Sequence, residues 1–258
     1  MSRFIDKLSQ VSQVASSPMG FKAVLSAAAR PKMVLAVVFA EASTEGLADY
    51  VAGADVAILS IKSGSGISGL KKMAEAALAI PWGGWLSDVA DEDIESLAKA
   101  GADFVVFPET ASLALAGKSE LGKVLQIDAS LDAGLLRAIE DLPVDAVLVE
   151  TDKKEGLSWH SLLLFQRLAG LLTKPLLVSL PSTVTQLELQ ALLEVGVDGI
   201  IVEAKVGEAA RRLGELHQMI DMLTPVPARK RKKAEPVVPY IRPEAEVVEE
   251  EEEEEEEE

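Results

Sequence analysis

Cysteine is absent from this chain of 258 residues, and its only histidines are His160 and His217. Without cysteine the protein has no disulfide, no thiolate nucleophile, no zinc–thiolate site and no iron–sulfur cluster. Two histidines leave little material for a histidine-rich metal site or for a Ser-His-Asp triad. We therefore expect neither a haem nor an iron–sulfur cofactor.

Long hydrophobic runs are also missing. The longest apolar run covers residues 33–40, whereas about 20 apolar residues are needed to span a bilayer. The opening sequence MSRFIDKL carries charges at Arg3, Asp6 and Lys7 and leads into no apolar segment, which argues against a secretory signal. These absences predict a cytoplasmic protein with no membrane partner.

The residues that are present suffice for a folded core. Hydrophobic residues make up 48% of the chain and charged residues 26%, which is typical of a globular protein and excludes wholesale disorder. The 25 Lys and Arg residues against 42 Asp and Glu residues give a net charge of −17. An anionic surface repels phosphate backbones, so we expect no nucleic-acid partner.

The last segment, residues 224–258, differs from everything before it. It contains five prolines, a run of cations at 229–233 and ten consecutive glutamates at 249–258. Blocks of like charge repel themselves and stay solvated, so we predict a disordered tail after a folded body at residues 1–223. We expect a basic protein as the partner of the glutamate run.

Within the body, short apolar runs alternate with amphipathic stretches. The runs read as strands buried on both faces and cover 33–41, 56–61, 81–86, 104–109, 124–130, 146–151, 175–180 and 199–204. Helical periodicity predicts helices at 69–79, 91–100, 131–141, 158–172, 184–194 and 208–222, with shorter candidates at 43–53 and 110–121. Ser158 and Thr183 are predicted N-caps, and Gly101 and Gly196 are predicted helix ends.

Eight alternations of strand and helix predict an α/β fold, a (β/α)8 TIM barrel. Residues 1–30 would form an N-terminal helical extension that covers the bottom of the barrel. The alternative is a doubly wound open sheet, which usually has fewer strands and a clear topological switch. We favour the barrel.

The carboxyl ends of the predicted strands are where a barrel of this kind places its active site. Carboxylates dominate there. Any one of them can equally be a helix cap or a solvated loop residue, because strand ends meet helix N-termini. As a group they need a balancing cation, and their oxygens suit Mg²⁺ or Mn²⁺. The acidic and basic positions concerned are Glu41, Asp88, Glu109, Asp128, Glu150, Asp152 and Glu203, with Lys62 and Lys205.

The loop after the second predicted strand reads KSGSGISG at residues 62–69. Gly64, Gly66 and Gly69 match G-x-G-x-x-G, but two residues separate the motif from the strand, which disfavours a dinucleotide site. Two readings stay open. The loop is either a plain flexible connection or an anion site formed by N–H groups around Gly64, Ser65 and Gly66, with Lys62 beside them.

Trp85 lies in the third predicted strand, next to a pair of glycines. Core filling is the default role for such a residue, and stacking on a substrate at the barrel mouth is the alternative. His160 is more often a packed or surface residue than a catalyst in such a helical context, and His217 is expected on the solvated outer ring.

The phrase GVDGIIV at residues 196–202 resembles the passage into the eighth strand of aldolase-type and phosphate-binding barrels. The resemblance implies the TIM-barrel fold. Those families hold a phosphate with glycine-rich turns after strands 7 and 8. The corresponding turns here read SLPST at 179–183 and EAKVGE at 203–208, so the glycines for standard phosphate binding are missing.

A second resemblance covers residues 91–152, where KAGADFVVFPETAS, LQIDAS and LVETD look like the metal-dependent pyruvate aldolases of the phosphoenolpyruvate/pyruvate barrel group. This resemblance implies a divalent metal held by Asp128 on strand 5 and Asp152 just after strand 6. The arginine that this family keeps on strand 3 is replaced here by Gly83, Gly84 and Trp85.

Two functional hypotheses follow. The first is a carbon–carbon lyase that acts on a small anionic carboxylate or phosphate compound with Mg²⁺ or Mn²⁺. In that hypothesis Asp128 and Asp152 hold the metal, Lys62 and Lys205 supply positive charge, and Glu109 acts as the base. The second is a barrel without chemistry that serves as an interaction or scaffold protein through its charged tail.

Overall fold

The sheet closes into a barrel of eight parallel strands in sequential order. The computed structural model describes residues 2–12, 32–40, 53–61, 70, 74–75, 80–87, 91–151, 156–203 and 209–224. The strands are β1 Val34–Ala40, β2 Val56–Ile61, β3 Trp82–Leu86, β4 Phe104–Pro108, β5 Gly122–Ile127, β6 Ala146–Glu150, β7 Leu176–Leu180 and β8 Gly199–Glu203. Strand β8 pairs with β1 in parallel register. The predicted TIM barrel is thus confirmed, and the open sheet is wrong.

Helix α1 Arg3–Ser12 precedes the first strand. The other α-helices with described bounds follow strands β3, β5, β6, β7 and β8 in turn: α2 Asp91–Lys99, α3 Ala133–Ala138, α4 Trp159–Leu171, α5 Gln186–Val195 and α6 Ala209–Met222. Two 3₁₀ helices cover Leu113–Gly117 and Ile139–Asp141. No helix in the described part of the chain is long and apolar enough to cross a membrane.

Two separate apolar clusters form the core. One lies between the sheet and the surrounding helices, and the other fills the inside of the barrel. Strand residues alternate between them, since successive side chains of a strand point to opposite faces. This double burial explains why the strands read as nearly continuous apolar runs in the sequence.

Helix α1 closes the amino-terminal end of the barrel. Its Phe4 and Leu8 are fully buried in the interior cluster, and the rings of Phe4 and Phe104 lie 4.2 Å apart between centroids. Gly122 makes room for the helix, because a Cβ there would lie 2.8 Å from Ile5. The predicted extension that covers the bottom of the barrel is therefore present at α1, and residues 13–31 lie outside the described part.

An aspartate precedes each even-numbered strand at this same end. Three of them accept a hydrogen bond from a backbone N–H at the start of the preceding odd strand. Asp55 accepts from Leu35 at 3.0 Å, Asp145 from Lys123 at 2.8 Å and Asp198 from Leu176 at 2.8 Å. The fourth, Asp103, instead accepts from Ser2 Oγ at 2.7 Å and from the N–H groups of Arg3 and Phe4 at 2.8 Å, and so caps helix α1. The repeated aspartate therefore ties β1 to β2, β5 to β6 and β7 to β8, and at β4 it holds helix α1 instead.

Strand β3 shows why two glycines stand in an apolar strand. A Cβ at Gly83 would lie 2.8 Å from the Phe104 ring, and a Cβ at Gly84 would lie 2.7 Å from Leu97 of α2. The two residues face opposite sides of the sheet, and both sides are filled. The low strand propensity of glycine is overridden by this packing.

A few predicted boundaries are corrected by local hydrogen bonding. Ser158 caps α4 as predicted, but the cap of α5 is Thr185 rather than Thr183. Thr185 has Glu188 at the third helical position, and the two form a reciprocal capping box. Gly101 and Gly196 end their helices with φ values of 82° and 97°, as glycine does at a left-handed stop.

Other predicted elements differ in extent. The candidate helix at 110–121 is only the 3₁₀ helix Leu113–Gly117, in which Leu115 alone is buried. The candidates at 43–53 and 69–79 lie largely outside the described residues, as does the tail from residue 225. Thr224, placed at the start of the tail, exchanges hydrogen bonds with the Gln190 side chain at 2.8 and 3.3 Å.

Candidate functional site

The carboxyl-terminal mouth of the barrel carries polar side chains that face inward. Val124 and Leu148 belong to the interior cluster, so Gln126 and Glu150, two residues further along the same strands, face the barrel axis as well. The same alternation places a polar or aromatic side chain of most strands at the mouth. The described members are Ser60, Trp85, Gln126, Glu150, Ser179 and Glu203.

Three of these side chains form a continuous hydrogen-bonded chain. Trp85 Nε1 donates to Gln126 Oε1 at 2.9 Å, and Gln126 Nε2 donates to Glu150 Oε2 at 2.9 Å. Trp85 lies on β3 and Gln126 on β5, so their contact spans the inner face of β4. An indole N–H can only donate, and an ionised carboxylate can only accept, so the two ends fix the orientation of the amide between them.

This chain gives Glu150 a defined position at an otherwise open mouth. The Glu150 side chain is exposed, whereas Trp85 and Gln126 are half-buried. A carboxylate that is held by a half-buried amide donor and still reaches solvent is accessible to a bound small molecule, as a general acid or base must be. Trp85 therefore packs on the interior cluster and also orients a polar group.

Strand β7 adds a buried hydroxyl beside this carboxylate. Ser179 pairs with Glu150 in the β6–β7 register and is 4% exposed. The Thr151 hydroxyl donates to the Ser179 carbonyl oxygen, which holds the start of the loop after β6 against β7. A second carboxylate, Glu203, ends strand β8 on the other side of β7 and is exposed. The mouth over β6 to β8 is therefore lined by two carboxylates and a serine.

A cleft of about 230 Å³ opens beyond these strands, between the loops that follow β6 and β7. Its walls carry five hydroxyl side chains and one carboxylate over an apolar floor. Two of these hydroxyls already cap helices: Ser158 accepts from Ser161 N at 3.2 Å, and Thr185 accepts from Glu188 N at 3.3 Å. Thr151 connects the cleft to the mouth, because it lines the cleft and directly follows Glu150 in the chain. Its lining is Thr151, Gly156, Leu157, Ser158, Ser161, Leu180, Pro181, Thr183, Val184, Thr185 and Glu188.

The predicted base and one predicted metal ligand lie in exposed turns. Glu109 follows β4 directly, and its side chain is exposed. Asp128 follows β5 and accepts a hydrogen bond from Ser130 N at 2.7 Å. Hydrogen bonds from Ser130 hold the pKa of the Asp128 carboxyl below its ordinary value of 3.8. Asp128 thus stays ionised and at the same time stabilises its own turn.

The remaining predicted site residues lie outside the described part of the chain. They are Lys62, Gly64, Ser65, Gly66, Asp152 and Lys205. Their assignments, and the pairing of Asp128 with Asp152 at a metal, stay predictions. Within the described residues, no group of three or more His, Asp and Glu side chains comes together in a way that could hold a metal ion.

Sequence reasoning missed Gln126 and gave Glu150 no role. Both are the inward-facing members of strands that are otherwise apolar inside, as in VLQI at 124–127 and AVLVE at 146–150. A polar residue at the inward position of such a strand is the signal that could have found them. Gln126 is a neutral amide within β5, whereas the charge pattern of the sequence points to residues after the strand ends.

Comparison with known proteins supports the fold. Tryptophan synthase from M. tuberculosis, in its aminoacrylate-bound form, matches with a TM-score of 0.55 and 15% identity, over 73% of this chain and 92% of that one. Thiamine phosphate pyrophosphorylase from Pyrococcus furiosus matches with a TM-score of 0.57 and 13% identity, over 74% and 96%. A mutant tryptophan synthase alpha-subunit from the same hyperthermophile gives 0.56 and 11%, over 74% and 97%.

No protein-family model and no curated protein matches the chain. These three structures are named as enzymes, and at identities of 11–15% they show a shared architecture rather than a shared reaction. The closed parallel barrel and these neighbours together show that the chain has the TIM-barrel fold.

Proposed function

We propose that the protein is an enzyme that moves a proton on a small anionic molecule bound at the carboxyl-terminal mouth, as carbon–carbon lyases do. The single observation that carries this proposal is the chain from Trp85 through Gln126 to Glu150. The inside of a TIM barrel is normally filled with apolar side chains. An inward-facing amide is costly there unless its groups are hydrogen-bonded, and both ends of the Gln126 amide are bonded, to Trp85 and to Glu150.

In this proposal Glu150 is the general base and acid. It takes a proton from the substrate and returns it after the carbon–carbon bond of the substrate has been broken. Gln126 is a positioning residue, because it acts on the substrate only through the carboxylate that it holds. The N–H groups of Gln126 do not compete with the substrate for a proton, since an amide neither gains nor loses one near neutral pH.

A divalent cation is the second part of the proposal. The mouth carries Glu150, Glu203 and Asp128, and an anionic substrate would add to this charge, so binding needs a cation. Asp128 leaves the sheet one residue beyond Ile127, which pairs with Val149 in register, so it emerges beside Glu150. Carboxylate oxygens fit Mg²⁺ or Mn²⁺, and Asp128 with Asp152 would hold the ion. When bound, such an ion would stabilise negative charge on an oxygen of the substrate.

Proton exchange in D₂O tests the base directly, whichever bond of the substrate is broken afterwards. Small 2-oxo acids are incubated with the protein and Mn²⁺ or Mg²⁺, and loss of the signal from protons next to the carbonyl is followed by NMR. Glu150→Gln should slow the exchange by about 10²–10⁴-fold. Glu109→Gln is the matched control, since it removes an exposed carboxylate at the same end of the barrel, outside the hydrogen-bonded chain.

The outcomes separate the possible assignments. Loss in Glu109→Gln with full activity in Glu150→Gln would return the role of base to Glu109. Absence of exchange for every 2-oxo acid with the unmodified protein would remove the proposed lyase. Calorimetric titration of Mn²⁺ into the unmodified protein and into Asp128→Asn/Asp152→Asn tests the ion separately, and equal affinities would remove the metal from the proposal.

An interaction protein is the second candidate. It is favoured by a specific observation: Trp159 on α4 is 84% exposed, and further large apolar side chains are exposed on α4 and the helices beside it. The charged tail, which was the basis of this hypothesis in the sequence, lies outside the described residues. The exposed apolar surface therefore carries this candidate, and it is compatible with an enzyme at the barrel mouth.

A further inference from the structure

Four exposed apolar side chains lie near one end of three successive helices. Trp159 and Leu163 of α4 are 84% and 66% exposed, Leu187 of α5 is 81% exposed, and Leu135 of α3 is 53% exposed. Each lies within the first five residues of its helix, at the carboxyl-terminal end of the barrel. We call Leu135, Trp159, Leu163 and Leu187 the apolar rim.

Helix α4 forms the centre of the apolar rim. Trp159 and Leu163 are four residues apart and therefore share one face of the helix. Phe165 and Leu168 are buried and lie on the opposite face, where they pack on the barrel. The helix is thus apolar on both sides, and a helix with that property is normally covered on both sides. Helices α3 and α5 contact α4 on its two flanks.

The charge around the apolar rim is unusual for this protein. The chain carries 42 Asp and Glu residues, yet none of them falls between residues 156 and 187, the stretch that includes α4 and Leu187. The acidic residues that flank the apolar rim are bound to their own chain: Asp132 caps α3, and Glu188 accepts hydrogen bonds from Thr185. The two cations of that stretch, Arg167 and Lys174, donate hydrogen bonds to carbonyl groups of the same chain. The Arg167 guanidinium donates to the Leu131 carbonyl, and Lys174 Nζ donates to the carbonyls of Leu142 and Val144 at 2.7 and 2.8 Å.

We propose that the apolar rim is the contact surface for a second copy of this chain in an isologous dimer. Two copies that each carry a charge of −17 repel each other over most of their surface. They can approach where acidic residues are missing, and a twofold contact brings the same surface from both sides together. A basic partner would find no acidic residue on α4, the centre of the apolar rim, and an acidic partner would find there only Arg167, which already donates to the Leu131 carbonyl.

The size of the surface sets the strength of the contact. The largest apolar patch of a typical monomer covers about 300–600 Å². Two patches of that size bury about 600–1,200 Å² together, which lies at the lower end for specific interfaces and fits a weak, reversible dimer. Trp159, as the large central side chain, is expected to contribute most of the binding energy.

Sedimentation velocity of the full chain over a concentration series tests the proposal. The mass should rise from 27.5 kDa towards twice that value as the concentration increases from the micromolar range upwards. Trp159→Ser/Leu163→Ser should weaken the dimer by at least about tenfold, the usual effect of removing a central aromatic contact. Leu113→Ser/Met222→Ser is the matched control, because it removes two exposed apolar side chains outside the apolar rim and should leave the dimer unchanged.

Salt distinguishes this contact from one based on charge. Added NaCl screens the repulsion between two anionic copies, so the dimer should become tighter at higher salt. A dimer that weakens with salt would indicate ion pairs at the interface and would overturn the proposal. A chain that stays monomeric at every concentration, or a dimer that is unaffected by Trp159→Ser/Leu163→Ser, would overturn it as well.

Fluorescence quenching examines the two other possible occupants. Trp82 is buried and Trp85 half-buried, so Trp159 is the exposed one of the three tryptophans. In the dilute monomer acrylamide should quench it readily, and at high concentration the quenching should fall. Protection of Trp159 in the dilute monomer would overturn the proposal, because another segment of the same chain would then cover the apolar rim. Quenching that is unchanged while a dimer forms would overturn it too. The dimer contact would then lie elsewhere on the chain, and the apolar rim would be available to bind a different protein.

Discussion

Replacing Phe4 with alanine should destabilise the protein through the loss of the helix that closes the barrel. Phe4 is fully buried, and its ring lies 4.2 Å from that of Phe104 inside the barrel. Removing a buried phenylalanine side chain costs about 3–5 kcal/mol when the cavity cannot collapse. The surrounding strands are held in a closed ring of hydrogen bonds, so the cavity should persist. For a domain of this size, the loss corresponds to a fall in melting temperature of roughly 6–20 °C.

Asp103 acts on the same helix by a different route. Its carboxylate accepts three hydrogen bonds, from Ser2 Oγ and from the N–H groups of Arg3 and Phe4. Asp103→Ala should cost about 1–2 kcal/mol, as the loss of a helix cap does. If α1 docks as one unit, the combined variant Phe4→Ala/Asp103→Ala should lose less than the sum of the two single losses, because either change alone already weakens the same docking.

Urea unfolding followed by far-UV circular dichroism measures these losses. Leu113→Ala is the matched control: it removes an exposed apolar side chain and should change the free energy of unfolding by no more than about 0.5 kcal/mol. A loss below about 1 kcal/mol for Phe4→Ala would show that α1 does not seal the barrel. Strict additivity in the combined variant would show that the cap and the buried ring act independently.

Three further predictions concern other parts of the chain. Asp198→Ala should lower the free energy of unfolding by about 1–3 kcal/mol in urea, because it leaves the buried Leu176 N–H without its acceptor; a loss below about 0.5 kcal/mol would contradict this. The hydrogen bonds of Ser130 lower the pKa of Asp128 below 3.8, so its contribution to stability is present above that pH and is lost as the pH falls through the folded-state pKa. Asp128→Asn should therefore reduce stability at neutral pH but not in strong acid, by only a few tenths of a kcal/mol since the carboxylate is exposed, and a larger loss in acid would reverse the argument. A chain ending at Thr224 should keep its melting temperature within about 5 °C, since only a larger fall would mean more than ~1 kcal/mol of tail packing.

The strands could be predicted from the sequence because both faces of a barrel sheet are buried. Runs such as 56–61 and 146–151 are apolar almost throughout, and few other structures give that pattern. Strand β3 was the hardest to predict, since its glycines are selected by neighbours that are distant in sequence. The absence of a side chain at Gly83 makes room for the Phe104 ring, and its absence at Gly84 makes room for Leu97. Neither contact can be predicted from the strand propensity of the residues themselves.

The sequence could predict where the candidate site lies in the barrel but not which side chains face it. The strand order places the carboxyl ends of β5 and β6 side by side, which is why Asp128 and Glu150 were expected at the same mouth. Side-chain direction at the mouth depends on the alternation within each strand, and that alternation is hidden when both faces are apolar. Gln126 is found only when the inward positions are known, because a neutral amide carries no charge pattern that the sequence reveals.

The two ends of the barrel differ in the kind of polar group that they bury or hold. At the amino-terminal end, Asp55, Asp145 and Asp198 each accept a backbone N–H of a neighbouring strand, so their role is complete within the protein. At the carboxyl-terminal end, Gln126 donates to a carboxylate that remains exposed. The first arrangement stabilises the ring of strands, whereas the second leaves a charged group available to a ligand. Substitutions at the aspartates should therefore change unfolding and leave the exchange reaction of the folded protein intact, and Glu150→Gln should do the reverse.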